Sequence, residues 1–446
     1  VDRHEKRVVT LACLIAFVVI LDATIVAVAL PRIRAELGFG ATGIAWVVNA
    51  YTLVFAGFQL FGGRCVDVFG VRRMLGWGLG LFALGSVSAG LAPSAWLLLT
   101  ARAVQGLGGA LLIPASVAAI TRALPDGPRR SSALAMWSMI GALGSASGTV
   151  LGGVLTEAAG WRLVFLINVP FVVFAALLTP AAAGRAPGGR RPSLDLPAAV
   201  LVTAGLSLVV DAIIAADWLP GVLGVLALLA FLGYEWRLAR EPMLPLGLLR
   251  VRTVAGANLT MFAIGLGFFA TPVLLSLYLQ GVLGYPPLQA GLAFVPSAVA
   301  TVLGGRIAGT ATSRFGARPT AVAGLAVAVL GFAALALFAT ASTSYALGIA
   351  LPVVLLGFGI GLSFTPLTVV ATRGVGEERG GIAAGLLNTT RQCSGAAGIA
   401  ILTAVSTGPG YPSAFALTAC AALAALLLAV TLLPREQRLS ARPVPS

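Results

Sequence analysis

Apolar stretches long enough to cross a lipid bilayer recur along almost the whole chain, separated by short polar breaks. A helical crossing needs about 20 residues. Candidate spans read at 8–30, 44–63, 74–92, 96–121, 132–156, 161–182, 196–217 and 219–235, then at 254–280, 288–310, 319–340, 344–371, 382–405 and 413–433. In hydrocarbon only helices and closed barrels satisfy their own backbone groups. Barrel strands would be about half as long and alternate in polarity. The predicted fold class is therefore an all-α integral membrane protein with fourteen transmembrane helices. Composition agrees: 59% of residues are hydrophobic and 10% charged, too little polar surface for a soluble domain. The first apolar run, after RHEKR, has the outline of a signal peptide. It is long enough to span, and Asp22 interrupts it, so it reads as the first crossing.

An even number of spans puts both termini on one side, with basic residues collecting in alternate connections. One side takes 24 of the 29 basic residues, from Arg3, Lys6 and Arg7 to Arg435, Arg438 and Arg442; the other takes Arg32, Arg34 and Arg162, and Arg102 and Arg391 fall inside spans. This asymmetry predicts cytoplasmic termini. The formal charge of +14 does not indicate nucleic-acid binding, because the arginines are scattered between apolar runs. Cys13, Cys65, Cys393 and Cys420 lack metal-site spacing, and no metal or cofactor is expected.

No connection is long enough to be a domain. Polar linkers at 184–197 and 235–253 divide the chain into six spans (1–183), a linker with two extra spans (184–253) and six spans with a short tail (254–446). The two outer parts echo each other. GRCVDVFGVR (63–72) and GTATSRFGAR (309–318) share G-x3-[DS]-x-F-G-x-R, and QGLGGALLIP (105–114) aligns with GFGIGLSFTP (357–366). Six-span repeats suit a transporter made of two rocking bundles with the substrate held near the midplane.

Embedded polar residues are the candidate functional groups. Asp22 and Arg102 sit at similar depth in the first bundle. They read either as a static salt bridge or as a proton-carrying carboxylate beside a cation; burial favours the neutral acid and a nearby arginine the carboxylate. Asp211 is a second embedded acid, or else lies near the headgroups with Asp217. Arg391 either snorkels from a late helix start or, with Asn388 and Gln392, lines a polar cavity. Gly144, Gly148 and Gly152, four apart, with Gly153, put a bare stripe on the fifth span for close helix packing. In the 63–73 loop Gly70 permits a tight turn, Asp67 can cap a helix, and Arg64, Arg72 and Arg73 double as topology signals.

These motifs together resemble the major facilitator superfamily, specifically its fourteen-span drug:proton antiporter branch (the EmrB/QacA-like group). LDATIVAVALP (21–31) is similar to the first-span motif, GRCVDVFGVRRM (63–74) to the second-loop signature, and LTARAVQGLGGALLIP (99–114) to the fourth-span motif. GALGSASGTVLGGVL (141–155) is similar to the fifth-span antiporter motif, and WRLVFLINVP (161–170) and LLNTTRQCSGAAGIAIL (386–402) are typical. The chain departs from the pattern at Ala27, Val71 and Thr149. The resemblance implies export of hydrophobic or amphipathic drugs or antibiotics across a bacterial cytoplasmic membrane, driven by protons. Asp22, Arg102 and Asp211 would then serve proton coupling. Asn49, Gln105, Asn388, Arg391 and Gln392 would line the substrate cavity. Gly63, Asp67, Gly70, Arg72 and Arg73 would form a conformational latch, and the Gly144–Gly153 stripe a hinge contact against the other bundle. The expected partners are a small hydrophobic substrate, protons and lipid, acting on a monomer. An uptake symporter or uniporter on the same scaffold is the alternative. An enzyme would need convergent catalytic groups, yet His4 is the single histidine and the embedded acids lie on separate helices. No G-x4-G-K-[ST] phosphate loop is present.

Overall fold

The computed structural model describes residues 3–125, 128–182, 195–237, 246–339, 344–373, 375, 377–408 and 410–434. The expected boundary at 183/184, Arg185, Arg190, Arg191, Arg240 and the tail arginines lie outside the described residues. Among the described residues every regular element is helical. The first part of the chain forms α1 (Arg3–Leu37), α2 (Trp46–Phe69), α3 (Val71–Gly90), α4 (Ala95–Ala123), α5 (Pro128–Ala159), α6 (Arg162–Leu166) and α7 (Asn168–Leu178). A hairpin follows, α8 (Leu196–Ala215) and α9 (Trp218–Arg237). The last part forms α10 (Arg252–Phe268), α11 (Thr271–Gly281), α12 (Pro287–Leu292), α13 (Val295–Phe315), α14 (Ala317–Phe338), α15 (Leu351–Thr372), α16 (Glu377–Thr407) and α17 (Tyr411–Leu432).

Among the described residues eleven helical stretches, against the expected fourteen, are long and apolar enough to cross a membrane, and Arg162–Leu178 adds a shorter apolar one. The 20-residue α3 and the 31-residue α16 miss that standard on apolarity, not length. α3 opens on Arg72 and Arg73 and is rich in glycine; α16 opens on EERGG and carries NTTRQ at its middle. Tryptophans Trp96, Trp218 and Trp236 stand exposed near helix ends, as in an interfacial aromatic girdle.

Three expected spans are each broken into two helices, and the breaks share a cause. Proline has no N–H, so Pro170, Pro272 and Pro296 cannot bond the carbonyls of Leu166, Phe268 and Leu292. Those are the residues at which α6, α10 and α12 end. Pro114 stays inside α4 and frees the Ala110 carbonyl in the same way. α2 fills that gap with Gly62, where a Cβ would stand 2.2 Å from the Ala110 oxygen.

Within the first part, α1 packs on α4, α5 and α7, and α4 on α2 and α3. In the last part, α15 packs on α13 and α14, and α17 on α10 and α14. α8 rests on α2 and α16. The two parts meet where α1 touches α11, α5 touches α12 and α2 touches α16. The sequence echo is also a backbone echo: α2 ends at Gly70 with φ +87° and α13 at Gly316 with φ +95°, and the next helix starts at once. Only glycine enters that conformation without strain.

Candidate transport site

The Ser94 hydroxyl accepts the Leu97 N–H and caps α4, which places Arg102 two turns inside the helix. There its guanidinium meets Asp22 of α1 at 2.5 Å, and neither side chain has any exposure. Arg102 Nη1 also donates to Gln105 Oε1 (3.0 Å), Nε donates to the Val47 carbonyl (3.0 Å), and the group lies 4.5 Å from the Tyr51 ring centre. Asp22 Oδ1 accepts from Asn168 Nδ2 of α7 (2.6 Å) and Gln105 Nε2 (3.2 Å). Gln105 Nε2 also donates to Ser86 Oγ of α3 at 2.8 Å. Gly85 makes that reach possible, because a Cβ there would stand 2.7 Å from the Ala101 carbonyl of α4. α4 and α7 thus bond the carboxylate of α1 directly, and α2 and α3 brace its partners, so five helices share one network. Removing one member of such a buried pair typically costs about 3–5 kcal/mol, because the other ion is left uncompensated. Every group in this network belongs to the first part of the chain.

A second polar cluster joins the two parts. Asn388 of α16 donates to Gln59 Oε1 of α2 at 2.7 Å and accepts from Arg391 Nη2. Gln392 is half-buried, and Asp211 on α8 is half-buried with no bond or ion pair among the described residues. Asn49 and Gln105, expected on a cavity wall, are fully buried instead. Gln105 bridges the ion pair to Ser86, and neither polar atom of the Asn49 side chain has a partner.

The glycine stripe divides. A Cβ at Gly144, Gly148 or Gly152 would strike Phe17, Thr24 or Ile25 of α1, so these three seat α1 in their own half and make no hinge with the other. Gly153 alone faces across, where a Cβ would stand 2.5 Å from the Pro287 carbonyl. Nearby, Gln280 donates to the Val28 carbonyl and the Leu288 N–H donates to Glu157, both at 2.9 Å. The halves are therefore closed against each other at the end remote from the N-terminus of α1. At the opposite end Asp67, largely exposed, pairs with Arg122 of α4 at 3.2 Å, within its own half. Gly63 sits near Pro114 of that same half, and Arg72 and Arg73 are exposed.

The sequence profile of the Major Facilitator Superfamily matches residues 12–399. The chain belongs to the Major Facilitator Superfamily. Its curated relatives include exporters and resistance proteins. It is 44% identical to the cephamycin export protein CmcT of Amycolatopsis lactamdurans, over 90% of this chain and 84% of that protein. It is 36% identical to the puromycin resistance protein pur8 of Streptomyces alboniger, over 87% of this chain and 79% of that one. The multidrug resistance protein Stp of Mycobacterium tuberculosis is 33% identical, over 87% of this chain and 73% of that protein. Among solved structures, a POT family transporter in complex with 5-aminolevulinic acid superposes with a TM-score of 0.73 at 14% identity, covering 95% of this chain and 96% of that one. A D-xylose-proton symporter superposes at 0.70, also at 14% identity, covering 96% and 98%. At such identity these structures establish the fold alone, whereas the relatives support efflux.

Sequence reasoning missed Asn168, Ser86 and Gln59. A lone amide or hydroxyl in an apolar helix is a visible signal, but only the fold says which of them face Asp22 or the seam between the halves.

Proposed function

We propose that this superfamily member exports an amphipathic antibiotic or drug across the bacterial cytoplasmic membrane in exchange for protons, by alternating access. The reading uses fourteen crossings with cytoplasmic termini. Residues 1–183 and 254–446 act as the rocking halves and 184–253 carries the extra pair. The distribution of basic residues supports the orientation, and the exporters among the relatives support the direction.

The carrying observation is the Asp22–Arg102 pair, sealed from solvent and tied to one half only. A lock between the halves would break and re-form with each cycle as a matter of geometry. A pair inside one half must instead be moved by something that competes for the same carboxylate, and a proton does so. Arg102 and a proton exclude each other on Asp22. Water reaching the pair from outside loads the acid, and return of Arg102 expels the proton inward. Gln105 and Asn168 hold the carboxylate in place while this occurs. Everted vesicles with an imposed pH gradient test the scheme. Drug accumulation should follow the gradient, and Asp22→Asn should insert normally yet abolish it. Gradient-driven export by Asp22→Asn at the wild-type rate would refute the coupling role, and drug movement only in the uptake direction would favour a symporter.

A further inference from the structure

Arg391 is a second cation well inside a long helix, and among the described residues no anionic side chain meets it. It lies 14 residues from the start of α16 and 16 from its end, roughly 21 and 24 Å at the helical rise. Its Nη2 donates to a neutral amide oxygen, Asn388 Oδ1, and its Nε is buried with no acceptor. Asp22 is already held by Arg102, and Asp211 makes no ion pair.

The surroundings are those of a binding wall. Gly265 of α10 packs against Ser394, and Gly395 of α16 against Phe269. This seats Phe269 below the guanidinium, 5.8 Å from its ring centre. Phe268, Phe269 and Phe364 form a triangle with ring centres 5.0, 5.7 and 6.1 Å apart, and all three are half-buried. Across the seam stands Gln59. Gly57, two positions earlier, faces Thr203 of α8. Two residues turn a helix by about 200°, so Gln59 points away from α8 and into the space between the halves.

Resting on the export reading, we infer that the cargo is an organic anion: an aromatic or apolar body carrying a carboxylate. Arg391 takes the carboxylate through its planar fork. Asn388 and Gln59 border the anionic end, and the phenylalanine triangle takes the body. The match also suits export, because an anion leaving a negative interior is carried outward by the membrane potential.

The test uses the purified full chain and three probes: benzylpenicillin, its neutral methyl ester, and the aromatic cation tetraphenylphosphonium. Wild-type protein should bind benzylpenicillin at least about tenfold more tightly than either of the others. Arg391→Gln should lower benzylpenicillin affinity by about ten- to a hundredfold and leave the ester within about twofold. Arg391→Lys should keep part of the preference. Equal binding of acid and ester by wild-type protein, or no binding of the acid, overturns the inference without need of any variant. So does an Arg391→Gln protein that keeps the acid preference. In everted vesicles, accumulation of tetraphenylphosphonium but not benzylpenicillin removes the anion and leaves export standing. Accumulation of neither counts against both.

Discussion

Arg102 of α4 and Arg391 of α16 each lie well inside a long helix, one in each half of the molecule, and the two are treated oppositely. Arg102 is fully enclosed, paired with Asp22 and braced by Gln105 and the Val47 carbonyl. Arg391 is half-buried at the seam and, among the described residues, its one side-chain hydrogen bond goes to a neutral amide oxygen; each guanidinium keeps one buried nitrogen without a partner, so the difference lies in the counterion. A buried charge is tolerated when a counterion and hydrogen bonds compensate it. The first arginine meets that condition by itself, whereas the second meets it only when something anionic arrives. On the proposed function, the difference separates a group of the coupling machinery from one that receives the cargo.

Stability should break along the same line. Arg102→Gln leaves Asp22 buried beside amides alone, and it should lower stability by about 3–5 kcal/mol. The readout is the midpoint of thermal unfolding in detergent. The double variant Asp22→Asn/Arg102→Gln replaces both ions by amides and should recover most of that loss while gradient-driven transport stays absent. Arg391→Gln orphans no acid and should change stability by less than about 1 kcal/mol. Equal destabilisation by the two single arginine variants would mean that Arg391 has an internal counterion after all.

The glycines sharpen the contrast between contacts inside one half and contacts across the seam. Gly152 lies against the Ile25 carbonyl, where a Cβ would be 2.3 Å away, and Gly153 lies against Pro287 in the other half. Gly152→Val should overpack its own half and lower thermal stability by about 1–3 kcal/mol. Gly153→Val should leave the first half intact and instead prise open the closure to α12. The expected sign is faster labelling by a membrane-impermeant thiol reagent of a cysteine placed beside Gln280. Similar labelling in both variants would erase the distinction between the two glycines.

Much of the fold was legible because crossing a bilayer requires about 20 apolar residues and leaves few other solutions. The helical class, the length of the spans and the paired glycine turns at Gly70 and Gly316 follow from that rule and from glycine's freedom at positive φ. The breaks at Leu166, Phe268 and Leu292 were readable in principle from Pro170, Pro272 and Pro296, since each lies four residues beyond a helix end. The candidate site was half legible. A charge inside an apolar run announces itself, which is why Asp22, Arg102 and Arg391 stand out. What each charge meets depends on helix rotation and on which helices are neighbours, and both are decided by packing far along the chain. Gln105 illustrates this. On a sequence it is a polar residue in a span and reads as cavity lining. In the fold, Gly85 brings α3 close enough that Gln105 is enclosed between Ser86 and the ion pair. Asn168 and Gln59 needed the same information, because α7 and α2 present several faces and only one of each meets the site.

The smallest expected effect on stability belongs to the exposed acid pair, the counterpart of the buried one. Asp67 meets Arg122 at 3.2 Å with 60% of the acid's side chain exposed, and surface pairs of this kind contribute about 0–1 kcal/mol. Asp67→Asn should therefore leave the unfolding midpoint almost unmoved. Asp67 nevertheless sits one helical turn from the Gly70 bend, and Arg122 lies in the last turn of α4, so the pair ties two helix ends of one half at the end opposite the closed seam. Turnover of Asp67→Asn in vesicles should fall, with the accessibility of both termini unchanged. The repeat supplies an internal control. The last half has Ser313 at the matching position, and its hydroxyl bonds the Thr310 carbonyl within its own helix. It holds no second helix, and Ser313→Ala should transport at close to the wild-type rate. A pair of variants that slow turnover alike would show that the loop acts through its glycine bend in both halves. A deficit confined to Asp67→Asn would assign the latch to the carboxylate.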